Sequence, residues 1–254
     1  MADETTLILL VISALAVLLI YAYVTLIWKV LKKVGFTGSE VGVIVFVTLF
    51  LGSITIPIFK YNGWWIGLSI GGAIIPLLLC ASLLWSKRVD LAELLMGVVI
   101  VSFISYFVTR PEQNVGIVAD FPAALAPALA AGLFSLSAFW IDVSKAAPLA
   151  YSAGILGTIL GADVFHLSAM LSFPAPTGNT SILSIGGANI FDMVYMTGIV
   201  AVVVDVIVFW IRKQEAKYGI AKETVEFQKG PGVAPATKEF KPAPTLQPGP
   251  KGRL

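Results

Sequence analysis

Leu68-Ser69-Ile70-Gly71-Gly72-Ala73-Ile74-Ile75 opens an apolar run that continues to Trp85. It recurs with one change as Leu183-Ser184-Ile185-Gly186-Gly187-Ala188-Asn189-Ile190, which opens a second run reaching Ile211. Each run is long enough to cross a hydrocarbon layer of ~30 Å as a helix. The second copy leads straight into Phe191-Asp192, placing a carboxylate where hydrocarbon-compatible residues are expected. Paired glycine-interrupted hydrophobic segments in two parts of a membrane protein point to a binding site between them. Chance, or a shared need for close helix packing, accounts for the match equally well.

Outward from these two stretches the same pattern repeats. The spans read as Leu7–Trp28, Val41–Ile58, Trp64–Trp85, Leu91–Thr109, Phe121–Trp140, Ala147–Leu167 and Ile182–Ile211. Apolar residues make up 57% of the 254 positions and charged residues 13%, against roughly 25% charged in soluble domains. Runs this continuous suit helices, whose backbone groups bond within the segment, rather than alternating barrel strands. The expected fold class is therefore all-α, a polytopic helical membrane bundle of about seven transmembrane helices. Trp28, Trp64, Trp65, Trp85, Trp140 and Trp210 lie near span edges, as an interfacial aromatic belt requires.

Charge sets the expected orientation. Lys29, Lys32, Lys33, Lys87, Arg88, Lys145, Arg212, Lys213 and Lys217 fall on one set of connections, and only Lys60 and Arg110 on the other. The positive-inside bias puts the protein in the cell membrane with its N-terminus outside and its C-terminus in the cytoplasm. The basic n-region of a signal peptide is missing, so the first run is expected to stay as a span. The membrane domain is assigned to 1–211. From 212 to 254 the chain turns polar and basic, with six of its fourteen prolines between Pro231 and Pro250. Such a segment buries too little apolar surface to offset its ordering entropy, and a largely disordered tail is expected.

The spans hold four acids, Glu93, Asp163, Asp192 and Asp205, and no Lys or Arg. A charge at the bilayer centre costs at least ~2.5–3.5 kcal/mol on insertion scales. With no intramembrane base to pair with, these acids require a proton, a bound cation, or donors from hydroxyls, amides and backbone. Glu93, near its span start, reads as a snorkelling side chain. Asp163 and Asp192 fall in the outer halves of consecutive spans and can approach one another. On an ideal helix Asp163 shares a face with Leu156, Ile159 and Leu160, so either the helix ends before it or that face is buried in the bundle.

Gly157 and Gly161 form a GxxxG pair, read as close helix packing. Pro76 and Pro127 lie within spans and are expected to kink them. His166, the only histidine, reads as an interfacial residue. One His and one distant cysteine, Cys80, make no transition-metal site. No Walker motif, dinucleotide fingerprint or serine-nucleophile elbow occurs, so no cofactor is expected, nor a nucleic-acid partner. Asn179-Thr180-Ser181 fits a glycosylation sequon.

Four segments together resemble an uncharacterised family of multi-pass membrane proteins from archaea and bacteria, known as a domain of unknown function. They are Ile70-Gly71-Gly72-Ala73-Ile74-Ile75-Pro76, Ala147-Pro148-Leu149-Ala150-Tyr151, Gly157-Thr158-Ile159-Leu160-Gly161-Ala162-Asp163, and Ser184-Ile185-Gly186-Gly187-Ala188 through Phe191-Asp192, extended by Thr197-Gly198-Ile199. In the family pattern Gly-Thr precedes the Phe-Asp and a Gly follows it. Here those positions are Asn189, Ile190 and Met193. The resemblance implies membrane location, draws attention to Asp163 and Asp192, and implies no established activity.

The leading reading is a membrane protein that binds or moves a small cation or protons. Asp192 would be the main site residue, helped by Asp163, Asn189, Tyr195 and Thr197, with Asp205 a second station toward the cytoplasm. The first rival is an intramembrane aspartic protease, with Asp163 and Asp192 sharing a proton. Gly161-Ala162-Asp163 is similar to the glycine-flanked aspartate of presenilin-like and prepilin-processing peptidases. It departs from their motif at Leu160, and Pro127-Ala128-Leu129, similar to another presenilin tripeptide, precedes the aspartates. The second rival is a structural or assembly factor whose glycines serve packing alone.

Overall fold

The computed structural model describes the backbone of residues 4–113, 115–140, 142–175, 182–187 and 192–229. The sequon at 179–181, Asn189, and the tail beyond 229 lie outside these. The chain falls into two units, Met1–Ile211 and Arg212–Leu254. The helices are α1 (Glu4–Val34), α2 (Gly38–Leu51), α3 (Ile75–Trp85), α4 (Leu91–Val108), α5 (Ala126–Ala138), α6 (Val143–Thr158), the short α7 (Leu167–Ser172) and α8 (Met193–Lys229). Among the described residues, four segments are long and apolar enough to span a membrane: Thr5–Val34, Leu91–Val108, Val143–Ser172 and Met193–Ala216. Gly38–Leu51, Ile70–Trp85 and Ala123–Ala138 are shorter apolar helices. The protein is thus a polytopic helical membrane protein. The backbone of α8 stays helical to Lys229, past residue 212 where composition changes.

The core centres on α6, where twelve of sixteen residues are buried. Half of its residues are Ala, Gly or Ser, and small side chains let neighbouring backbones approach. A Cβ on Gly157 would stand 2.5 Å from the Val101 Cβ of α4, and one on Gly161 would overlap the Ser102 carbonyl. The GxxxG pair therefore packs α6 onto α4, as its spacing predicts. Gly154 faces Thr197 and Gly198 of α8 instead. The residues by which helix α1 is buried in the bundle are Ile27, Val30, Leu31 and Val34, the i, i+3, i+4, i+7 stripe of one helix face, with Tyr23, Val24 and Trp28 packed partly beside them. Residues 5–22 are exposed throughout.

Three expected spans are shorter as helices because part of each is strand. Strand β1 (Thr55–Tyr61) pairs antiparallel with β2 (Trp64–Ser69) across Asn62-Gly63, with Tyr61 opposite Trp64. Asn62 and Gly63 both take positive φ, 46° and 85°, which is what a two-residue hairpin turn of the primed type demands. Pro57 sits at the irregularity in the ladder, where its missing N–H costs no regular hydrogen bond. Strand β5 (Ile182–Ile185) extends this sheet on the other side of β2, giving the order β1-β2-β5. A separate hairpin, β3 (Thr109–Glu112) with β4 (Gly116–Ala119), follows α4. Arg110 on it bonds Asp120 and Glu112, and this exposed guanidinium holds the Asp120 carboxyl below the usual range.

The two prolines expected to kink their spans each stand where one kind of helical turn gives way to another. Pro76 and Pro127 occupy the first turns of α3 and α5, directly after the π-helical turn Ile70–Ile74 and the 3-10 turn Ala123–Leu125, so each missing N–H falls where the helical hydrogen-bond pattern changes. Trp64 also departs from the aromatic belt: it is 6% exposed and its Nε1 donates to the Phe173 carbonyl at 3.1 Å. His166, expected at a span edge, packs inside the protein. It is buried, stacks on Tyr106 at 4.6 Å, and its Nε2 meets the Tyr106 carbonyl at 3.2 Å.

Candidate binding site at the paired glycine turns

The two copies of the octapeptide lie side by side. Strands β2 and β5 run parallel, with Gly67 opposite Ser184 and Leu68 opposite Ile185. This register is displaced by two residues from the sequence repeat, in which Leu68 aligns with Leu183. A two-residue shift preserves which face each side chain occupies. Beyond the strands the copies diverge. Ile70–Ile74 forms one π-helical turn and passes into α3. Gly186 and Gly187 instead adopt φ of +88° and +64°, a left-handed conformation open to glycine at little cost.

The glycines meet at the junction. A Cβ on Gly72 would overlap the carbonyl of Gly186, and one on Gly71 would stand 2.7 Å from the Cα of Gly52 at the end of α2. Ser69 Oγ accepts from the Gly72 amide at 3.1 Å and donates to the Gly52 carbonyl at 3.3 Å. Ser184, its counterpart in the second copy, lies 2.9 Å from Thr55 Oγ1 and donates to the Gly187 carbonyl at 3.3 Å. Neither serine stood out in the sequence. Their shared place in the repeat, two residues before a Gly-Gly pair, was the available signal.

Two of the expected acids converge on this turn. Asp163 sits in a second π-helical segment, Ile159–Val164, that continues α6. Of the residues expected to share its face, Ile159 is buried and Leu156 and Leu160 are half-buried. Asp163 Oδ2 accepts the Gly186 amide at 2.5 Å. Asp192 caps α8: its carbonyl accepts from Met196 at 2.9 Å and its Oδ2 from the Val194 amide at 3.0 Å. A Cβ on Gly187 would overlap the Asp192 carboxyl, so the two carboxyls contact consecutive residues of one turn. Each is half-buried. Neither forms an ion pair among the described residues, and no group of three or more metal-ligating side chains occurs among them.

The remaining expected residues separate. Asp205 is fully buried on α8 and receives the Ser135 hydroxyl of α5, 2.9 Å from each oxygen. Ser135 also lies 2.8 Å from the Gly132 carbonyl, so the hydroxyl bridges two helices. Thr197 is buried with its methyl toward Gly154, a packing position. Tyr195 is 1% exposed and Tyr151 0%, and both hydroxyls lack a hydrogen-bond partner among the described residues, as does Ser152 Oγ. Tyr23 Oη donates to Met196 Sδ at 2.9 Å beside them. Glu93 lies in the first turn of α4, where the helix dipole favours an acid.

Broken apolar helices meeting at a glycine-lined junction, with two carboxyls against it, define a polytopic membrane protein with interrupted spans. The chain belongs to the DUF1614 family, proteins of unknown function, whose family model matches residues 19–204. The match takes in the whole glycine junction, Asp163 and Asp192, and stops one residue before Asp205. No curated protein and no solved structure matches the chain.

Proposed function

We propose that this membrane protein binds, and passes on, a proton or a small cation at the Asp163–Asp192 pair. The observation that supports the reading is convergence: both carboxyls contact the Gly186-Gly187 turn, and neither has a basic partner among the described residues. Asp163 meets the Gly186 amide through Oδ2, and Asp192 meets the Val194 amide through its own Oδ2. Two close carboxyls share a proton more readily than both ionise. The buried hydroxyls of Tyr195, Tyr151 and Ser152 offer polar groups deeper in the bundle. Asp205, thirteen residues along α8 or about 20 Å of helix rise, is the second station in this reading.

The aspartic-protease reading uses the same pair but needs both carboxyls turned to one water. Asp192 is instead turned to the amide of its own helix, which favours the binding reading. Infrared difference spectra of the reconstituted protein across a pH titration report protonated carboxyls directly. The expected result is a carboxyl band that titrates in the wild type and is lost in Asp163→Asn and Asp192→Asn, with both variants folded. A spectrum with no titrating band removed by either substitution rejects the proposal.

A further inference from the structure

Helices α1 and α8 flank an apolar trough of about 560 Å³, lined by Leu26, Val30, Val203, Val206 and Ile207, with Lys29, Lys32 and Lys33 along its rim. We infer that this trough is a binding site for an anionic phospholipid, the lysines holding the phosphate and the trough one acyl chain. The trough follows α1 from Leu26 to Lys33, about 10 Å of helix rise, or about a third of the hydrocarbon layer. It therefore takes the part of a chain next to the headgroup.

The charge pattern selects the occupant. No lining residue is acidic. All three lysines are exposed, and none forms an ion pair among the described residues. Lys32 and Lys33 lie in the last turn of α1, where the helix dipole accounts for one cation but not for three around an apolar trough. Lys32 Nζ also stands 5.5 Å from the Trp28 ring, and tryptophan marks the headgroup level of a bilayer. Beside them Arg88 bonds the Gly35 carbonyl and faces the Glu40 carboxylate, so the trough's positive charge is that of its three lysines. A hydrocarbon floor under an uncompensated cationic rim complements an amphiphile with an anionic head. A zwitterionic lipid fits the floor but not the rim, and a free phosphate fits the rim but not the floor.

The test titrates the purified full chain with phosphatidylglycerol, phosphatidylcholine or inorganic phosphate and reads bound ligand by native mass spectrometry. Saturable binding of phosphatidylglycerol alone is expected. Lys29→Gln should weaken it about fivefold and the triple Lys29→Gln, Lys32→Gln, Lys33→Gln variant about a hundredfold. Ile207→Trp fills the trough from an exposed position without touching charge, and should weaken binding at least tenfold. Equal binding of phosphatidylcholine, or equal binding of inorganic phosphate, overturns the proposal. So does full affinity in Ile207→Trp, which would reduce the effect to surface charge. Should the triple variant fail to fold, the single Lys29→Gln and Ile207→Trp variants decide alone.

Discussion

The two octapeptide copies share seven of eight residues and a sheet, yet fold differently after their strands. The first turns right-handed through a π-helical segment into α3. The second turns left-handed at Gly186 and Gly187. Glycine permits either course, so the choice comes from what surrounds it. After the first copy stands Pro76, whose fixed φ suits a helix start. Against the second stand two carboxyls, Asp163 taking the Gly186 amide and Asp192 capping the helix that follows. A repeat in sequence is here a repeat of permissiveness, and the two acids stand against the second copy.

The largest break in this comparison should come from Gly72→Val. The added side chain would overlap the Gly186 carbonyl, forcing the copies apart at a cost of about 3 kcal/mol. Reversible unfolding in mixed detergent measures it, and a loss under ~1 kcal/mol would show that the copies do not depend on their contact.

The serines sharpen the comparison. Ser69 is 1% exposed and satisfies both the Gly72 amide and the Gly52 carbonyl. Ser69→Ala leaves both groups without that partner and should cost about 2 kcal/mol. Ser184 is half-buried and bonds Thr55 and the Gly187 carbonyl, so Ser184→Ala should cost about 1 kcal/mol. The same unfolding measurement ranks the two, and the reverse order would contradict the account of which copy is structural.

The smallest effect is expected at Asp192. Asp192→Ala removes the cap of α8 and should cost about 1 kcal/mol, whereas Asp192→Asn keeps a capping oxygen and should cost a few tenths at most. Thermal unfolding of the pair separates capping from charge. An Asp192→Asn variant as unstable as Asp192→Ala would mean that the ionised carboxylate itself holds the fold.

Much of the fold was legible because a bilayer imposes length and composition on helices. The long helices, the Gly157–Gly161 packing onto α4 and the isolation of acids from bases all follow from residue type and spacing. The sheet was not legible by the same route, because hydropathy averages over a window and cannot distinguish a hydrophobic hairpin from a hydrophobic helix. Asn62-Gly63, a strong short-range hairpin signal, sits in the short gap between two such windows, where it reads equally as a connection between two helices. Pro76 and Pro127 carried a related signal: each stands at the change from a π or 3-10 turn to an α-helix, and hydropathy does not register which kind of turn a residue makes. At the site, Asp163 and Asp192 were readable as acids in apolar runs. Their partner, the Gly186 amide, was not, since its availability depends on a left-handed turn that no residue pattern specifies uniquely. Asp205 was readable as buried, but Ser135 lies seventy positions away, and only packing joins them.

The exposed first part of α1 carries one more consequence. Residues 5–22 are in contact with no other element closely enough to be buried. Where lipid meets a helix on every side, one apolar side chain is as good as another and their order is immaterial to the fold. That stretch therefore encodes length and greasiness alone, while the next dozen residues, with Ile27, Val30, Leu31 and Val34 locked into place, hold all of the helix's positional information.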